Sequence, residues 1–97
     1  MKFEWDDSKN RRNFEKHGID FEDAAELFRS MRVTFVDSRA NYGEVRKISI
    51  GRIGVNICVV VYTERDETMR IISARRANAR ERKKFYEFIE GRENEEA

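Results

Sequence analysis

The 97 residues are 39% apolar and 40% charged, with the apolar ones gathered in runs, which suits one small folded domain and excludes a disordered chain. No stretch approaches the ~20 apolar residues of a membrane span, and the acidic opening Met1-Lys2-Phe3-Glu4-Trp5-Asp6-Asp7 lacks the apolar core of a signal peptide. A lone Cys58 and a single His17 argue against disulfides and a protein-only zinc site, so a reduced cytoplasmic protein without a metal or other cofactor is expected. The net charge of +1 hides segregation: residues 70–84 carry seven basic side chains against Glu81 alone, while the segments 1–30 and 85–97 are net acidic.

In chain order, residues 3–5 alternate apolar and polar as a short edge strand. Asp6, Asp7 and Ser8 offer capping oxygens for a helix to His17, and Gly18 stands where a left-handed cap would end it. On that helix Asn10, Asn13, Phe14 and His17 share an amide-rich, weakly apolar face. Asp20 caps a second helix with the stripe Phe21, Ala24, Ala25 and Phe28. Strands follow over 33–36 and 45–52, the latter with Arg46, Ile48, Ile50 and Arg52 on one face, separated by a polar loop over 37–43. Residues 57–61 are apolar at every position, which marks a central strand covered on each side. The last strand spans 69–74, where strict alternation puts Arg75 on the face of Met69, Ile71 and Ser73, and Arg70 on that of Ile72 and Ala74. A final helix begins near Ala77 with Asn78 and Glu81 at capping-box spacing and Phe85, Phe88 and Ile89 as its apolar face. The predicted order is β-α-α-β-β-β-β-α: an α+β antiparallel sheet with helices packed on one face, one domain over 1–92 and an acidic tail over 93–97.

The stretch from Arg70 to Lys84 carries the strongest functional signal. Arginine offers a planar fork that matches phosphate oxygens, so Arg70, Arg75 and Arg76 at the end of a rigid strand suit a polyanion. Arg80, Lys83 and Lys84 read equally well as a solvated helix face. His17 is the default acid–base group near neutral pH, with a helix-capping role as its plain alternative. Glu44 is a candidate base, Arg52 a supporting cation, and Tyr62 either stacks on a base or packs in the core. There is no phosphate-binding glycine loop and no nucleophile elbow.

Phe3-Glu4-Trp5-Asp6, Asn13, Lys16-His17-Gly18 and Ile19-Asp20-Phe21 with Ala24 together resemble the BrnT family. So do Gly43-Glu44 through Ile50-Gly51, Val60-Val61-Tyr62-Thr63, and Arg70-Ile71-Ile72-Ser73-Ala74-Arg75-Arg76-Ala77. The resemblance implies a RelE-like fold and a ribonuclease toxin of a type II toxin–antitoxin system that cuts RNA and arrests translation. It implies a hetero-oligomer with a BrnA-type ribbon-helix-helix antitoxin, through which alone DNA would be contacted. By position the expected site is Arg75 as phosphate clamp with His17 and Glu44 for proton transfer, and Arg52, Arg70, Arg76, Tyr62 and Arg80 on the RNA. The competing readings are a non-catalytic RNA- or protein-binding module and, less favoured, a DNA-binding accessory protein.

Overall fold

A computed structural model describes residues 1–39 and 43–96, with side chains described as far as residue 92. The capping signals act as the sequence predicts. The Asp6 carboxylate accepts the Lys9 N–H at 3.0 Å and starts α1, Asp7–His17. Gly18, at φ 73°, takes the left-handed conformation that side chains resist, and its N–H closes on the Phe14 carbonyl at 2.7 Å. Asp20 accepts the Glu22 N–H at 2.8 Å and starts α2, Phe21–Ala24, which tightens into a 3-10 turn over Ala25–Arg29.

The strands are β1 (Lys2–Glu4), β2 (Arg32–Asp37), β3 (Arg46–Ile53), β4 (Asn56–Arg65) and β5 (Thr68–Arg76), in the spatial order β1-β5-β4-β3-β2. The α+β class and the element order agree with the sequence reading. Two features of the arrangement differ. β2 to β5 form an antiparallel meander, but β1 lies parallel to β5; joined to the sheet through helices and not by a hairpin, it has no need to reverse. The helices also divide between the two faces. One core packs Phe21 and Ala24 of α2 and Leu27 and Phe28 of the 3-10 turn on Cys58, Val60, Tyr62, Met69, Ile71 and Ala74. The other packs Phe85 and Ile89 of α3, Ala79–Glu96, on Ile50, Ile57 and Val59. Because β4 is buried on both sides from Ile57 to Tyr62, one helical layer would leave half of its apolar side chains in water. The acidic tail continues the α3 backbone to Glu96, while its side chains from 93 onward and loop residues 40–42 lie outside the described residues.

The amide face of α1 is structural. β1 covers β5 only from Thr68 to Arg70, leaving the rest of that edge without a strand partner. Buried Asn13 takes over there: its Oδ1 accepts the Ala74 N–H at 3.1 Å, and its Nδ2 donates to the carbonyls of Ala74 at 2.9 Å and Ile19 at 3.0 Å. Asn10 Oδ1 similarly accepts the Phe21 N–H at 2.9 Å. These bonds dock α1 on the sheet edge without a large apolar stripe, and so fix where His17 ends up.

A β-bulge sets the faces of β5. Val61 pairs with Ser73 but Tyr62 pairs with Ile71, so Ile72 is an extra residue in the strand. Beyond it every side chain is flipped relative to strict alternation. Arg75 therefore shares a face with Ser73 and its cross-strand partner Val59, opposite to Met69 and Ile71. Arg70, paired with Thr63, lies on the same face as Arg75 and not with Ala74.

Candidate active site

α3 covers only part of its sheet face. Beside it lies an open groove of about 540 Å³, floored by Ile48, Val59 and Val61 and walled by Lys16, His17, Arg39, Ser73, Arg75 and Glu81. Four separate elements supply these walls: the end of α1, the loop after β2, β5, and the first turn of α3.

Arg75 is held by its neighbours. Its Nη1 and Nη2 each donate to one Glu81 carboxylate oxygen at 2.8 Å, and Nη1 also donates to the Arg76 carbonyl at 3.2 Å. Of the five N–H donors of a guanidinium, this leaves Nε–H and the second Nη2–H, which form a side-on fork with no partner among the described residues. Glu81 is fixed in turn by the capping box: it accepts the Asn78 N–H at 2.9 Å, and its own N–H donates to Asn78 Oδ1 at 2.9 Å. The Arg75 hydrogen bonds hold the Glu81 carboxyl below its ordinary pKa, against the opposing effect of burial. The same bonds raise the Arg75 guanidinium above its ordinary value, although burial and the nearby Arg39 charge oppose this. Arg39 is itself gripped by buried Asp37, with Nε and Nη2 at 2.8 and 2.9 Å from the two carboxylate oxygens.

The sequence candidates separate in space. Arg75 and His17 line one groove. Glu44 and Arg70 line another, of about 470 Å³, with Glu4, Glu64, Arg65 and the Thr63 and Thr68 side chains. There Arg70 pairs with Glu4 at 3.6 Å and Glu44 stands 4.0 Å from Arg46, so the expectation that Glu44 works beside Arg75 is corrected. Tyr62 is also corrected: it is 2% exposed, edge-on to Phe28, with its hydroxyl 2.8 Å from Ser49 Oγ, and has no ring face to offer a base. Arg52 lies over the Phe85 ring at 5.2 Å, at the α3-covered end of β3. Arg76 is paired across from Cys58 and so points to the face opposite Arg75. Arg80 is exposed in the first turn of α3.

Sequence reasoning missed Lys16, Arg39 and the second role of Glu81. Lys16 adjoins His17 and could have been found from that, whereas nothing in the loop sequence places Arg39 beside Arg75. Among the described residues no three His, Cys, Asp or Glu side chains converge as a metal-binding cluster, and no helix is long and apolar enough to cross a membrane.

A small α+β domain with a cationic groove on one face of its sheet defines a class of protein fit to hold a polyanion. The model of one family, described as "Ribonuclease toxin, BrnT, of type II toxin-antitoxin system", matches residues 5–81, and the chain belongs to that family. The 1.1 Å crystal structure of the Brucella abortus ribonuclease toxin, BrnT, is similar, with 34% sequence identity and a TM-score of 0.65 over 80% of this chain and 97% of that one. No curated protein sequence matches.

Proposed function

We propose that the chain cuts RNA internally without a metal ion, at the groove between Arg75 and His17, and is silenced by a BrnA-type antitoxin seated over that groove. The observation that carries this reading is the half-occupied guanidinium of Arg75. Glu81 holds one edge and leaves the other without a partner among the described residues at the wall of the open groove, so a phosphate bound there would meet a donor pair whose position is already fixed.

In this reading a phosphodiester lies on the Arg75 fork, with Lys16 and Arg39 adding positive potential. The ribose 2′-oxygen bonds to phosphorus, the 2′-hydroxyl proton passes to His17, the P–O5′ bond breaks, and the 5′-oxygen takes a proton from water. The products are a 2′,3′-cyclic phosphate and a 5′-hydroxyl. Arg75 stabilises the charge that grows on the phosphorane, a role in which a single donor is worth about 10²–10³ in rate. Loss of cytoplasmic RNA by this route arrests translation. The cationic groove also suits an acidic segment that folds on binding, as a ribbon-helix-helix antitoxin with such a tail would provide.

The test is incubation of the purified chain, separated from antitoxin, with single-stranded RNA in excess chelator, followed by analysis of the new ends. Cyclic phosphate and 5′-hydroxyl ends are expected. Dependence on added magnesium, or cutting of DNA that lacks the 2′-hydroxyl, would overturn the proposal.

A further inference from the structure

A second, shallower groove of about 250 Å³ runs along α1, and Lys16, His17 and Ser73 line both it and the groove of Arg75. The two are therefore continuous, and the basic surface does not end at His17. Along the second groove lie Lys9 and Arg12, which with Lys16 occupy positions i, i+3 and i+7 and so project from one side of the helix. All three are exposed.

Among the described residues none of the three side-chain cations closes a salt bridge. On the walls of the first groove Arg75 is matched by Glu81 and Arg39 by Asp37, whereas the Asp6 carboxylate bonds the Lys9 backbone N–H and feels the charges of Lys9 and Arg12 without closing a salt bridge to either side chain. Ile72, the extra residue of the bulge, lines the same groove and supplies an apolar edge beside the cations. Seven residues of helix rise about 10 Å, enough for consecutive phosphates of an extended strand.

We infer that α1 is a track for single-stranded RNA, on which Lys9, Arg12 and Lys16 hold the phosphates flanking the one cut at Arg75. This rests on the reading of the groove as an RNA site, and it adds the form of the substrate: an unpaired segment several nucleotides long, gripped through its backbone and not by its sequence. Row-like cations beside an apolar edge suit a flexible single strand, which can follow a helix surface as a stiff duplex cannot.

The experiment uses a fluorescent single-stranded 2′-O-methyl RNA of about a dozen nucleotides, which 2′-oxygen attack cannot cut. Its affinity is measured against salt for the wild type, for Lys9→Gln/Arg12→Gln, and for a control with equal charge loss elsewhere, Arg29→Gln/Arg92→Gln. Two lost phosphate contacts lower the salt slope by about 1.4; the control keeps the wild-type slope. An unchanged slope in the first variant, an equal fall in the control, or no binding by the wild type would overturn the track. So would unaltered RNA binding with lost binding of a polyglutamate peptide, which would make α1 a docking face for an acidic protein. Failure of the wild type to cut the unmodified RNA while this pattern holds would refute the catalytic reading and leave the track standing.

Discussion

Replacing Glu81 by Gln tests the clamp that the groove depends on. Gln keeps the capping box, since its carbonyl oxygen can still accept the Asn78 N–H, but it turns one of the two 2.8 Å charge-assisted bonds to Arg75 into a donor facing a donor. The side chains of Arg75 and Glu81 are 39% and 21% exposed, so water screens the pair and the loss is about 1 kcal/mol, well below that of a dry ion pair. For a domain of this size that lowers the melting temperature by about 4–8 °C. The pH dependence has a definite sign. Glu81 binds its proton less readily when folded than its ordinary value of 4.5, so its contribution is full above that value and disappears as the pH falls through the lower folded one. Melting followed by circular dichroism should therefore separate wild type and variant at neutral pH and bring them together in acid. With Arg75 less firmly aimed, the cleavage rate should fall roughly ten- to a hundredfold, with a smaller change in KM. Equal melting temperatures at neutral pH, or a gap that persists undiminished in acid, would refute the reasoning.

Asn13→Ala removes three hydrogen bonds and leaves the buried N–H and C=O of Ala74 without partners. A loss of about 2–4 kcal/mol is expected in urea unfolding, and a loss under about 1 kcal/mol would mean that water replaces the side chain. Tyr62→Phe removes the bond to Ser49 Oγ, which keeps its 2.9 Å contact with Thr34 Oγ1. It should cost about 1 kcal/mol of stability and leave RNA affinity unchanged; an affinity loss without a stability loss would restore Tyr62 to the RNA surface.

Much of the fold is legible because its signals are local. Asp6, Gly18 and Asp20 mark helix ends through chemistry confined to a few residues, and the all-apolar run in β4 states that both faces are covered. That run already implied helices on both sides of the sheet, so the one-sided packing could have been corrected from the sequence. The bulge at Ile72 could not. Ile71 and Ile72 are the same residue type, and nothing in their order says which faces the core, so every side chain from Ser73 to Arg76 was open to misplacement. Arg75 is recognisable as a clamp from its type and position, but its partner is hidden: Glu81 has a sufficient local explanation in the capping box. Arg39 and Glu44 show the converse limit, since both sit outside regular elements and their neighbours depend on how the chain returns between β2 and β3. The amide-rich face of α1 is visible in the sequence, but its explanation lies in the open edge of β5, which only the assembled sheet reveals.

The most direct test of the central claim compares RNA cleavage by wild type, Arg75→Ala and Arg75→Lys, each shown to be folded by its near-ultraviolet circular dichroism. A lysine keeps the charge but cannot bond Glu81 at one edge and offer a fork at the other. Both variants should fall by at least about 10² in rate, with the lysine variant recovering little of the loss. Cleavage at the wild-type rate by either variant would contradict the assignment of Arg75 as an oriented phosphate clamp.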